Sequence, residues 1–172
     1  MSMKKSLFTP RLLAQSGVIA AVYVALTLAN PWSYPIIQAR VSEVMAVLPL
    51  FTPAAVPGLI VGVFVANIAS PFGLVDMIFG TVATAIAASM TYQIGKDLAA
   101  TRVKELPTFL IAMIPPVVVN VLIVGSFLYL LSDGTIPFHL TMMSVGIGQI
   151  IACYGLGAIL YVALRKIPLL NK

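Results

Sequence analysis

Apolar residues dominate this chain in long continuous runs, which are broken by short segments rich in charge, glycine or proline. A run of about 20 apolar residues is long enough for a helix to cross a membrane. The runs do not alternate with polar residues, which favours helices over the strands of a β-barrel. The pattern predicts an all-α integral membrane protein, a single domain over residues 1–172 with six transmembrane helices. We place these helices at about 12–29, 41–51, 54–69, 74–94, 107–131 and 138–164.

The second predicted span is the least regular. Pro49, Pro53 and Pro57 interrupt the apolar stretch that it shares with the third span, and proline kinks or ends a helix. Two short spans joined by a turn therefore fit better than one long span. At 1.5 Å per residue the second span is too short to cross a 30 Å core alone. It is either tilted into the bundle or extended by polar residues that are buried against protein.

The charges define a topology. The chain is 60% hydrophobic and only 9% charged, with a net charge of +5, whereas about 25% of residues are charged in a soluble domain. The positive-inside rule assigns the basic clusters to the cytoplasm, and six spans then place both termini there. The positive charge thus reflects membrane topology rather than nucleic-acid binding. The clusters comprise Lys4, Lys5 and Arg11; Lys96, Arg102 and Lys104; and Arg165, Lys166 and Lys172.

On this topology Arg40 is the only basic residue on the outer side, and Glu43 follows it at the start of the second span. Charged residues inside a membrane are expensive, so a pair away from the topogenic clusters is a hypothesis for a ligand site. The alternative is a structural ion pair between residues three apart on one helix.

Other polar and aromatic residues share this outer half of the predicted bundle. Each has an ordinary explanation, as an interfacial aromatic, a helix-start acid, a loop histidine or an amide that joins two helices. Their convergence from several spans nevertheless predicts a ligand pocket that opens to the outside. The predicted substrate-binding residues are Arg40, Glu43, Gln38, Trp32, Tyr34, Asn67, Asp76, Asn120, His139 and Gln149.

Such a pocket suits a small, flat, polar heterocycle. A carboxylate can accept both N–H groups of a guanine-like edge, while an arginine donates to a ring carbonyl oxygen. Trp32 or Tyr34 could stack on the ring. Thiamin-like or flavin-like ligands would use similar groups, and the sequence does not decide whether Glu43 or Asp76 contacts the base edge.

The chain has no phosphate-binding Gly-x-x-x-x-Gly-Lys-Ser/Thr loop, and one His and one Cys cannot make a usual zinc site. We therefore predict no cofactor, no metal and no catalytic residue, and no enzyme. A chain this poor in acidic residues also lacks an obvious proton or sodium relay. If the protein moves a solute, another protein supplies the energy.

Two strips of small residues lie on predicted helices. Gly17, Ala21, Ala25 and Ala29 recur every four residues on the first span, which lets another helix approach closely. This strip either packs inside the bundle or docks a separate membrane subunit. Gly58, Gly62 and Ala66 make a similar strip on the third span, where we expect packing inside the bundle.

The sequence resembles the QueT family, the substrate-binding (S) components that energy-coupling factor (ECF) transporters use for queuosine precursors. The resemblance covers nearly the whole chain. Its more specific parts are the Gln-x-Arg-x-Ser-Glu segment that ends at Glu43 and the Pro-x-x-x-Pro-Gly stretch that ends at Gly58. It also rests on 17–27 and on Asp76-Met-Ile-Phe-Gly80.

The resemblance implies a six-helix protein in a bacterial cell membrane, with an outside-facing pocket for a deazaguanine base of the preQ0, preQ1 or queuine type. It implies as partners a transmembrane coupling (T) subunit, which docks on Ala21 and Ala25, and two cytoplasmic ATPases. It implies that the S component tilts to release its ligand inside. Two other hypotheses remain at this point: an S component for another vitamin or purine, and a structural or assembly membrane protein.

Overall fold

The computed structural model describes residues 9–30, 40–132 and 135–167, and within these ranges the chain is helical without β-strands. Seven α-helices are joined or extended by shorter 3₁₀ and π-helical segments. In chain order they are α1 (Pro10–Ala29), a 3₁₀ helix (Val41–Leu50), α2 (Ala55–Ala66) with a 3₁₀ turn (Asn67–Ala69), α3 (Gly73–Ala100), α4 (Glu105–Ala112), α5 (Ile114–Leu131), α6 (Phe138–Ile150), a π-helical segment (Ile151–Leu156) and α7 (Gly157–Arg165).

Four of the helical stretches are long and apolar enough to cross a membrane: Pro10–Ala29, Gly73–Ala100, Glu105–Leu131 and Phe138–Arg165. They correspond to the first, fourth, fifth and sixth predicted spans. Val41–Leu50 and Ala55–Ala69 are shorter apolar helices. The all-α class is thus confirmed over the described residues, while six spans and the side on which the termini lie stay predictions.

The second predicted span is a 3₁₀ helix, tighter and more extended than the α-helix assumed for it. A 3₁₀ helix rises about 2.0 Å per residue, so ten residues reach about 20 Å and still fall short of the membrane core. Side chains three apart eclipse in this geometry. Arg40, Glu43, Ala46 and Pro49 follow that repeat, and all four are buried. The 3₁₀ form therefore places Glu43, Ala46 and Pro49 on one interior face, and Arg40 directly precedes the helix as its N-cap.

Glycines bring α2 against α1. A Cβ at Gly58 would lie 2.9 Å from the Ser16 carbonyl oxygen, and one at Gly62 would lie 2.9 Å from Cβ of Tyr23. Neither distance is compatible with a side chain, so both positions need glycine for the helices to approach. The prediction that this third-span strip packs inside the bundle is confirmed.

The strip on α1 behaves differently. Gly17, Ala21, Ala25 and Ala29 are all exposed, and a Cβ at Gly17 would meet no atom within 4 Å. The buried positions of α1 are Ser16, Ala20, Tyr23 and Thr27, on the other side of the helix. The first-span strip is therefore not used for packing within the described part of the chain.

An arginine–carboxylate ion pair lies at each end of the bundle. Arg165 at the end of α7 pairs with Glu105 at the start of α4, and both line a cavity with Gly95 and Ala99 near the end of α3. Arg165 and Lys166 therefore share one end of the bundle with the mid-chain basic cluster. Arg40 lies at the opposite end, because it contacts Asp76 in the first turn of α3.

Candidate ligand site

A buried ion pair joins the 3₁₀ helix to α3. Nη2 of Arg40 donates to Oδ2 of Asp76 at 2.8 Å, and the two side chains are only 7% and 0% exposed. Asp76 also lies in the first turn of α3, where the helix dipole favours a negative charge. The ion pair that Arg40 makes is thus with Asp76, 36 positions along the chain, rather than the local pair with Glu43 that the sequence suggested as an alternative.

Glu43 is held from α1. The hydroxyl of Tyr23 donates to Oε1 of Glu43 at 2.6 Å, and both residues are buried. One turn further along α1, the hydroxyls of Thr27 and Ser42 lie 2.7 Å apart and form a hydrogen bond. Two side-chain hydrogen bonds therefore fasten the start of the 3₁₀ helix to α1.

Asn67 supports Asp76 from the end of α2. Its Nδ2 donates to the backbone carbonyl oxygen of Asp76 at 2.9 Å. A Cβ at Gly80 would lie 2.6 Å from that nitrogen, so glycine leaves the space for the Asn67 amide. Among the described residues, Oδ1 of Asn67 and Oδ1 of Asp76 are buried and accept no hydrogen bond. Buried acceptors without a partner are few in folded proteins.

Asn120 and Gln149 approach the same region from α5 and α6. Nδ2 of Asn120 donates to the Pro116 carbonyl oxygen at 2.8 Å, inside its own helix. Oε1 of Gln149 lies 3.4 Å from Sγ of Cys153, which in turn lies 3.8 Å from the carbonyl oxygen of Glu43. The π-helical segment begins two residues after Gln149, and π segments inside α-helices are frequent at functional sites.

Two small cavities meet at Glu43 and Asn120, which line both of them. One has a volume of about 20 Å³ and is also lined by Arg40 and Gln149. The other has a volume of about 10 Å³ and is also lined by Tyr23. Each is the size of a water site, whereas ligand pockets are commonly 300–1,000 Å³. The polar groups lie close together, but the helices around them pack too tightly to leave a cavity of ligand size.

A sequence model of the QueT transporter family matches residues 13–166. The chain belongs to the QueT transporter family. This confirms the resemblance found in the sequence and identifies a membrane transport protein rather than an enzyme. No curated protein and no solved structure matches the chain.

The structure of this QueT-family protein brings together six of the predicted site residues. Arg40, Glu43, Asn120 and Gln149 line one cavity. Asp76 pairs with Arg40, and Asn67 donates to the backbone carbonyl oxygen of Asp76. His139 is exposed in the first turn of α6 and lines neither cavity. The remaining predicted residues, Trp32, Tyr34 and Gln38, lie outside the described residues.

Sequence reasoning did not select Tyr23 as part of this site. A signal was present, because Ser16, Tyr23 and Thr27 are spaced by seven and four positions and so share one face of α1. That face lies opposite the small-residue strip and is the buried one. A polar stripe on a helix that is otherwise apolar indicates buried hydrogen-bond partners. Tyr23 and Thr27 find theirs in Glu43 and Ser42.

Proposed function

We propose that this chain is the substrate-binding S component of an ECF transporter in a bacterial cell membrane. It binds a queuosine precursor, a deazaguanine base, from outside and releases it inward. The proposal rests on the family match together with a buried polar cluster. The observation that carries it is that Arg40, Glu43, Asn120 and Gln149, from three separate helical stretches, line one cavity near the Arg40–Asp76 ion pair.

The chemistry of Glu43 suits the donor edge of a guanine-like base. Tyr23 donates to Oε1, and because the two oxygens of a carboxylate offer about four acceptor sites, Oε2 and the second site of Oε1 can both accept from a ligand. A carboxylate accepts hydrogen bonds at both oxygens, and a guanine-like base offers two adjacent N–H groups on one edge. Asn120 and Gln149 line the cavity beside Glu43, and amides can both donate and accept. This combination fits a neutral polar heterocycle better than a lipid.

Binding requires the site to open. A base needs far more room than the cavities of about 10 and 20 Å³ provide. Because Glu43 and Asn120 line both, movement of these two side chains would join the cavities into one. We propose that ligand entry separates the 3₁₀ helix, which carries Glu43, from α5, which carries Asn120.

The proposed partners are a transmembrane coupling subunit and two cytoplasmic ATPases, which supply the energy for transport. Support for a docking face comes from α1, whose small residues Gly17, Ala21, Ala25 and Ala29 are exposed. Small residues let a partner helix approach closely. We assign this strip to the coupling subunit, with Ala21 and Ala25 at its centre.

The ligand assignment is tested with the purified full-length protein. Mass spectrometry of the small molecules that it retains should detect a deazaguanine base, and titration with 7-aminomethyl-7-deazaguanine should show binding. Glu43→Gln should weaken that binding by at least about tenfold, since a hydrogen bond to a charged group is lost. The matched control is Glu105→Gln, at the opposite end of the bundle, which should leave the affinity unchanged.

Other results would redirect the assignment. Tight binding of thiamin or riboflavin, with no binding of the deazaguanine, would indicate an S component for a different vitamin. If no small molecule is retained and Glu43→Gln lowers only the thermal stability, the cluster is structural and the chain is not an S component.

A further inference from the structure

Tyr23 is held in place on every side that the structure describes. Its side chain is 2% exposed, and it packs in the core cluster with Met45 and Leu59. The absence of a side chain at Gly62 makes room for it, since a Cβ there would lie 2.9 Å from Cβ of Tyr23. The ring therefore has little freedom to turn, and its hydroxyl is delivered to a fixed point at the wall of the site.

That fixed point is Oε1 of Glu43, which accepts a hydrogen bond from the Tyr23 hydroxyl at 2.6 Å. A carboxylate on a glutamate rotates easily, because its terminal torsion has broad minima. A short hydrogen bond from a rigid, buried donor limits this rotation. Because Tyr23 holds Oε1, the position of Oε2 is also fixed relative to the cavity that Glu43 and Asn120 line.

We propose that Tyr23 is a positioning residue that orients the Glu43 carboxylate and thereby sets the selectivity of the site for a ligand edge with two N–H donors. This inference rests on the proposed function. Tyr23 also lines the smaller cavity, but the role assigned to it here is its hydrogen bond to Glu43 and not a contact of its own with the ligand. The phenol acts through Glu43, so its removal should matter most for ligands whose recognition depends on that carboxylate.

The test combines Tyr23→Phe with two probes. One is 7-aminomethyl-7-deazaguanine, and the other is the same base with hydrogen in place of the 2-amino group, which removes one donor from the edge. We expect Tyr23→Phe to weaken binding of the amino base by about tenfold. The des-amino base should change by less than about twofold, so that the preference of the wild-type protein for the amino base largely disappears.

A purely structural role gives a different pattern. If Tyr23→Phe weakens both bases by the same factor, or weakens neither, the inference is wrong while the proposed function stands. If the wild-type protein binds neither base, the proposed function fails and this inference fails with it. The two failures are therefore distinguishable from the wild-type titration alone.

Tyr154→Phe is the matched control for loss of a phenol. Its hydroxyl donates to the Leu110 carbonyl oxygen at 2.9 Å, and Tyr154 lines neither cavity at the site. It should leave the selectivity ratio unchanged. In the Glu43→Gln background, Tyr23→Phe should add little further loss, because two residues that act through one contact are not additive. Full additivity of the two losses would overturn the inference.

Discussion

The sequence indicated that Arg40 is buried, but it did not identify the ion-pair partner of Arg40. Its isolation from the basic clusters marked it as buried and functional, and it is buried. Its partner was not predictable, because Glu43 and Asp76 both lie near the same end of the bundle. Because the 3₁₀ helix packs against the start of α3, Arg40 forms its ion pair with Asp76. Glu43 instead accepts a hydrogen bond from Tyr23 and lines the cavity.

The Arg40–Asp76 pair predicts a specific pattern of stability. Arg40→Met leaves a fully buried carboxylate without its ion-pair partner, which typically costs about 3–5 kcal/mol. We expect a fall in the melting temperature on the order of 10 °C, measured by thermal unfolding of the purified protein in detergent. Arg40 is for this reason a poor choice for a binding test, since loss of binding and loss of the fold would be confused.

The double variant Arg40→Met/Asp76→Leu supplies the control. Replacement of a buried ion pair by apolar residues of similar volume is often neutral or stabilising. The double variant should therefore recover most of the lost melting temperature. If it melts as low as the single variant, the pair is not the cause of the destabilisation, and a polar contact of Arg40 other than Asp76 is.

At the scale of elements, the sequence predicted positions well and helix types less well. Helices lie near the positions that the continuous apolar runs predicted, although α3 continues to Ala100, beyond the predicted end at 94. The apolar runs could not show that the second span is a 3₁₀ helix or that Ile151–Leu156 is π-helical. Those forms depend on which carbonyl each N–H meets after packing, and composition does not specify this. Both irregular segments adjoin the site, at Glu43 and at Gln149.

Replacement of glycine by leucine should have opposite effects at Gly58 of α2, which is buried against α1, and at Gly17 of α1, which is exposed. Gly58→Leu forces a side chain against the Ser16 carbonyl oxygen, 2.9 Å from where its Cβ would be, so we expect a large loss of folded protein. Gly17→Leu meets no atom within 4 Å and should leave folding and ligand affinity unchanged. Size-exclusion chromatography and ligand titration of the purified variants check both expectations.

Uptake of labelled base into cells separates the two possible roles of the α1 strip. If the strip docks the coupling subunit, Gly17→Leu should abolish uptake while the purified variant still binds ligand. Ala21→Leu and Ala25→Leu should do the same. Normal uptake in all three variants would remove the strip from the docking surface, and loss of binding in the purified variants would assign it to the stability of the chain.

For the whole molecule, the sequence predicted a helical membrane bundle with polar residues gathered near one end. The described residues agree, because Arg40, Asn67 and Asp76 lie together there. His139 was predicted at the same end of the bundle, but its side chain is exposed and does not face the site. Polarity and topology give the depth of a residue, but the direction in which its side chain points depends on helix rotation within the bundle.

The proposed direction of transport requires the Arg40 end of the bundle to face outward. Ala69 and Ala100 offer a matched pair for this test, because both are exposed, and they lie at opposite ends of the α2–α3 region. The one native cysteine, Cys153, is 0% exposed and should react little. In intact cells, a membrane-impermeant maleimide should label Ala69→Cys and should label Ala100→Cys only after the membrane is permeabilised. The reverse pattern would place the ligand site on the cytoplasmic side, where a base already inside the cell would reach it, and would overturn uptake as the function.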